Sequence, residues 1–168
     1  GCENSEPSVA FYFSAHPDDW QLFMGEKAYA DVQDPKVKTV FILTTAGDAA
    51  MGMTASENAN LPYFKARERG YINAMKWAEN RMMKINEEGR SLYPLEDYEL
   101  SEMVVNGHPI MKYDTESSTA YLLYLPDGFP EGQYTWSLQK LYQGEISNMP
   151  TIDSATIFKD WTDLQNTV

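Results

Sequence analysis

His16, Asp18 and Asp19 lie within four residues of one another, directly after the apolar run Val9-Ala10-Phe11-Tyr12-Phe13. An imidazole and a carboxylate are donor types that suit a borderline divalent ion such as zinc. The second carboxylate can take a proton from a bound water, whose pKa such an ion lowers to about 7. Pro17 fixes φ and stiffens the turn, so less chain entropy is lost when the ligands are gathered. The same spacing also fits a plainer role, in which Asp18 or Asp19 caps the next helix and faces its amino-terminal dipole.

The flanking sequence supplies elements that could present this turn. Residues 9–15 form a continuous apolar run, the pattern of a strand buried on both faces. Residues 20–32 carry Leu22, Phe23, Ala28, Tyr29 and Val32 at roughly helical spacing, and Asp34-Pro35 stops that helix. Residues 37–45 read as a second buried strand, ending in the turn Ala46-Gly47-Asp48-Ala49. A second helix is expected over residues 61–80, with Ala66, Gly70, Ala74 and Trp77 along one face. This order opens an α/β sheet with parallel strands, whose functional groups gather at the strands' carboxyl ends.

The second half differs. Asn106-Gly107 between apolar runs signals a hairpin. A Tyr- and Leu-rich strand over 119–125 is closed by Pro126-Asp127-Gly128. Residues 100–129 are therefore expected to form an antiparallel β excursion from the α/β core. Thr162 is expected to cap a last helix, with Asp163 in its first turn and Leu164 starting its apolar face. A helix of one to two turns is not stable alone, so further core is expected beyond Val168.

The 168 residues include 13 basic and 25 acidic ones, for a net charge of −12. Such a surface repels nucleic acid and anionic lipid head groups, which are excluded as partners. No stretch approaches the ~20 apolar residues of a membrane span. Cys2 is the single cysteine, so no intrachain disulfide framework exists. Gly1-Cys2 followed by a polar stretch resembles the mature start of a bacterial lipoprotein, which implies a lipid anchor at Cys2 on the cell envelope. The alternative is an ordinary N-terminal cysteine in a secreted or soluble protein. The expected layout is a flexible tether over residues 1–8 and one α/β domain over residues 9–168, incomplete at its carboxyl end.

Ala15-His16-Pro17-Asp18-Asp19, with Gly25 six residues on, resembles the signature of the PIG-L/LmbE-type metal-dependent deacetylases. Leu43-Thr44-Thr45-Ala46-Gly47-Asp48-Ala49 is similar to that family's second strand and turn. Ala66-Arg67-Glu68, with Ala74 later, is similar to its Ala-Arg-Glu helix. The resemblance covers roughly residues 8–80. It implies a Rossmann-like, mostly parallel sheet with flanking helices and a zinc-dependent hydrolase (another divalent metal being an option) that removes acetyl from N-acetylglucosamine-type sugars or glycoconjugates. On that resemblance His16 and Asp19 are metal ligands and Asp18 is the general base. Arg67 lies near the site, contacting substrate or holding the ligand loops through Glu68. A solvated Arg67-Glu68 pair and a turn-forming Asp48 are the plainer readings.

The chain departs from the family where Trp20 and Gln21 replace an expected Glu. Trp20 is read as a substrate-pocket wall or as packing. The family's third ligand and a further catalytic histidine come from a carboxyl-terminal His-rich segment. Here the second of the two histidines is His108, in a turn context where a solvated ring is the commoner role. The competing function is a non-catalytic, carbohydrate-binding envelope protein, with Trp20, Tyr63, Trp136 and Trp161 as stacking or packing residues.

Overall fold

The computed structural model describes residues 6–53, 61–79, 98–129 and 134–168. Cys2, most of the expected tether and Asn80, the expected end of the second helix, lie outside the described residues. In chain order the elements are β1 (Ser8–Ser14), α1 (Asp19–Phe23), α2 (Gly25–Gln33), β2 (Val37–Thr45), α3 (Tyr63–Glu79) and β3 (Ser101–Val105). Then follow β4 (His108–Asp114), β5 (Ser118–Leu125), α4 (Leu138–Gln143), β6 (Met149–Pro150), β7 (Ile157–Phe158) and α5 (Trp161–Gln165). The expected helix over 20–32 is broken at Met24, whose φ of −128° ends α1 before α2 begins.

One five-stranded sheet runs β1-β2-β5-β4-β3. β1 and β5 pair parallel to β2, while β4 and β3 are antiparallel to their neighbours. The molecule is thus mixed α/β with a mixed sheet. The expected antiparallel stretch over 100–129 forms as β3-β4-β5, but it is no excursion from the core, because β5 is the central strand of the sheet and also pairs parallel to β2. The Asn106-Gly107 hairpin forms as expected, with φ of 52° and 83°, the left-handed pair that a two-residue hairpin turn needs.

Strand alternation divides the interior between the two faces of the sheet. Phe41 and Leu43 of β2, with Ala120, Leu122 and Tyr124 of β5, join Trp20, Phe64, Tyr71, Ile72 and Met75 from the helices. Val40 and Ile42, with Leu123 and Leu125, face Leu141, Met149, Phe158 and Leu164. The apolar stripe of α3 is Phe64, Tyr71, Ile72, Met75 and Ala78, spaced to put one face on the sheet. Full burial of each large side chain contributes roughly 1.5–3 kcal/mol.

β1 corrects a second expectation. It is an edge strand, buried on one face only: Val9, Phe11 and Phe13 are 53%, 60% and 54% exposed. The apolar run reads like a buried strand because its outer face is apolar too, although the second core does not extend over it.

α5 starts two residues earlier than expected. Asp160, not Thr162, is its cap, its carboxylate accepting from the Asp163 amide at 2.8 Å. Leu164 is buried as expected. Among the described residues no helix is long and apolar enough to cross a membrane.

Candidate metal centre

The carboxyl ends of the parallel strands are laced together by backbone and hydroxyl groups. The carbonyl of Ala15, just past β1, accepts from the Thr45 amide at 3.0 Å and from its hydroxyl at 2.6 Å. Thr44 donates to the Ser14 carbonyl at 2.9 Å, and the Ala46 amide donates to Leu125 at the end of β5. Three successive residues, Thr44, Thr45 and Ala46, thus tie the end of β2 to both neighbours. The loops after β1, β2 and β5 share one end of the sheet, where an α/β sheet places its ligands.

The His16 turn is closed on itself. The His16 amide donates to Asp19 Oδ2 at 2.8 Å, and the Asp19 amide donates back to the His16 carbonyl at 3.2 Å. His16 Nδ1 then faces Asp19 Oδ2 across 3.6 Å, and Nε2 lies 3.3 Å from Asp127 Oδ1. In the tautomer that carries its proton on Nε2, directed to Asp127, Nδ1 presents a lone pair toward a carboxylate oxygen. Two acceptors so placed are an arrangement that a cation satisfies. Asp127 occupies the place of the carboxylate that commonly fixes the tautomer of a metal-binding histidine.

Asp18 stands at the amino-terminal cap position of α1, yet its side chain makes no capping bond. It reaches instead to Arg67, whose Nη2 donates to Asp18 Oδ1 at 2.8 Å while Nη1 donates to the Gly47 carbonyl at 3.0 Å. Gly47 has φ of +60°, and a Cβ there would sit 2.6 Å from Pro17 Cδ and 2.9 Å from Arg67 Cζ. A glycine is required at this point for both the backbone angle and the close approach. Arg67 is therefore placed at the site, holding Asp18 directly.

Glu68 points the other way. Only 2% exposed, it accepts from Lys65 Nζ at 3.0 and 3.1 Å and from the hydroxyls of Tyr98 and Tyr124. Burial, reinforced by the Glu68 carboxylate, pushes both phenols far above their ordinary pKa. Tyr124 reaches Glu68 from a backbone φ of +54°, beside the register shift that ends the β2–β5 pairing. This cluster fixes the first turns of α3 to β5, so Arg67 arrives at the site from a rigid support.

Asp48 both turns its loop and joins it to another. Its two oxygens accept from the Gly52 and Asp127 amides, each at 2.8 Å. Trp20 is 4% exposed and packs on Phe41 and Tyr71, with ring centroids 4.9 and 6.5 Å apart, which makes it a core residue and not the wall of an open pocket. Trp161 packs on Tyr142, while Trp136 remains partly exposed.

His108 belongs elsewhere. It is 6% exposed, with Nδ1 2.7 Å from the Thr156 hydroxyl, Nε2 3.1 Å from Asp163 and its ring stacked on Phe158. Its strand lies three positions from β1 in the sheet, roughly 14 Å at the usual strand spacing. The structure does not bring it to His16.

The donors present suit zinc in kind, an imidazole and a carboxylate on one turn. Among the described residues no group of three or more His, Cys, Asp or Glu side chains is placed to hold a metal ion. The set therefore falls short in number. The residue that sequence reasoning missed is Asp127. Its signal was an Asp at the carboxyl end of a strand, hidden because β5 was read as part of an antiparallel excursion.

No family model matches the chain, and neither does any curated protein or solved structure.

Proposed function

We propose that the His16 turn is the core of a metal-dependent hydrolase site, in a Rossmann-like α/β setting, that cleaves the N-acetyl group from an amino sugar or glycoconjugate. The observation that carries this is the 3.6 Å approach of His16 Nδ1 to Asp19 Oδ2 while Asp127 occupies the other ring nitrogen. Two donors on one tetrahedral zinc at ~2.0–2.2 Å from the metal lie a little over 3 Å apart, close to that spacing. His16 and Asp19 would hold the ion. When bound, it supplies Lewis acidity toward a carbonyl oxygen and lowers the pKa of water.

The chain's own groups have separable parts. Asp127 orients the imidazole. Asp18, at the exposed mouth, accepts the proton of the attacking water and returns it to the departing nitrogen as the acyl C–N bond breaks, leaving acetate and an amine. Arg67 fixes the Asp18 carboxylate, and its contact with Gly47 keeps the guanidinium from swinging away. A lipid anchor at Cys2 would place this reaction on the cell envelope.

Zinc affinity and acetate release from N-acetylglucosamine conjugates test the proposal together. The wild type is expected to bind zinc, His16→Ala to lose most of that affinity, and Asp18→Asn to keep the metal while losing turnover. Zinc affinity unchanged by His16→Ala would sink the metal assignment.

A further inference from the structure

Beside the His16 turn lies a groove of about 350 Å³, walled by Asp48, Asp127, Tyr134, Trp136, Thr151 and Ser154 among others. That volume is within the usual ~300–1,000 Å³ of small-molecule sites. We propose that this groove is a sugar-ring subsite, taking a neutral or cationic pyranose unit of a longer glycan next to the unit presented at His16. The proposal deepens the hydrolase reading, on which it rests for the identity of the reacting unit but not for binding itself.

The groove is constructed from segments held in fixed relation. Gly128 packs so closely on Ser137 that a Cβ would lie 3.1 Å from the Ser137 Cα and closer still to its side chain. This contact, with the Tyr134 amide reaching the Gly128 carbonyl, sets the stretch carrying Tyr134 and Trp136 against the end of β5. Phe129 meets Tyr134 edge-on, with centroids 5.2 Å apart. The opposite wall is tied to β5 by the Ile152 amide, which donates to the Tyr124 carbonyl at 2.9 Å, and is stiffened by Thr151 donating to Asp153 at 2.6 Å. Asp48 joins the floor to the Asp127 backbone.

The lining specifies the ligand class. Trp136 and Tyr134 line the groove and are 36% and 43% exposed. An aromatic face is electron-rich and attracts the polarised C–H groups on one side of a pyranose ring. Carboxylate and hydroxyl oxygens on the other walls suit sugar hydroxyls and an amide N–H. The Asp127 carboxylate and a net charge of −12 disfavour uronates and phosphosugars. Asp127 belongs both to this groove and, through its 3.3 Å contact, to His16. A glycan seated on Trp136 thus extends toward the turn where hydrolysis is proposed.

Triacetylchitotriose is the probe, followed by tryptophan fluorescence and calorimetry on the full chain. Binding is expected to weaken at least tenfold in Trp136→Ala and less in Trp136→Phe, with unchanged thermal melts. Trigalacturonate is expected to bind far more weakly. Absence of chitotriose binding into the millimolar range, an affinity indifferent to Trp136→Ala, or equal binding of trigalacturonate overturns the assignment. Trp136-dependent binding without acetate release leaves the subsite standing and removes the hydrolase reading alone.

Discussion

Arg67 and Asp18, 49 residues apart in sequence, form a 2.8 Å ion pair whose guanidinium is also pinned to the Gly47 carbonyl. The fork geometry of Arg makes both contacts at once, which a lysine ammonium cannot reproduce. Arg67→Lys is therefore expected to lower turnover by more than tenfold while leaving zinc affinity within a factor of two. A steady-state assay beside a metal titration checks this.

Gly47→Ala introduces a Cβ into Arg67 and Pro17 at a left-handed backbone angle. A strained φ and a displaced guanidinium together are expected to cost about 1–3 kcal/mol. Urea unfolding midpoints measure the loss, and Gly52→Ala is the control: it shares the left-handed φ of +54° but has open space around its Cβ.

Asp127→Asn retains the shape of the His16 partner but removes its charge. Loss of such an orienting carboxylate typically costs ~10–100-fold in metal affinity, and that is the expected fall in zinc binding. An affinity equal to wild type would remove Asp127 from the site.

Glu68 serves three donors in the interior. Glu68→Ala leaves the Tyr98 and Tyr124 hydroxyls without their acceptor, while the 36% exposed Lys65 ammonium can turn to water; a buried donor left without its partner costs on the order of 1–3 kcal/mol. Tyr98 and Tyr124 have folded pKa values above their unfolded value of about 10. Their stabilisation is thus complete below pH ~10 and is lost as pH rises from there toward the folded values. Tyr124→Phe is expected to flatten the alkaline limb of a melting-temperature profile.

The acid limb draws on depressed carboxyls, of which Asp163 is one beside Asp31 and Asp114. The Lys159 amide, then His108, hold the Asp163 carboxyl below its ordinary range. A depressed carboxyl stabilises above its unfolded pKa of about 3.9, and this contribution is lost as pH falls from there through the folded value. Asp163→Asn should make stability less sensitive to pH between about 4 and 2. Melts across that range, read against His108→Ala, test the assignment.

Local signals in the sequence were sufficient where local chemistry decides the structure. Asn106-Gly107 encodes a left-handed turn, and the spacing of Phe64, Tyr71, Ile72 and Met75 encodes a helix face. Strand order is not encoded locally. β5 carries the same alternation whether it runs parallel or antiparallel to its neighbour, so its place beside β2 could not be read from residues 118–125. The consequence reaches the site, because Asp127 matters only once β5 is known to run parallel beside β2 and to end at the same edge of the sheet as β1. Trp20 shows the converse, since its position next to the motif suggested a pocket while its size and burial put it in the core.

The outer edge of β1 has no strand beside it among the described residues, and Val9, Phe11 and Phe13 line its exposed face without a charged residue between Ser8 and Ser14. Edge strands lacking charge or proline are templates for further pairing. Because β1 leads straight into His16, a strand added along the whole of it would end beside the His16 turn. Lateral growth of the sheet and the surroundings of His16 are therefore coupled through one strand end.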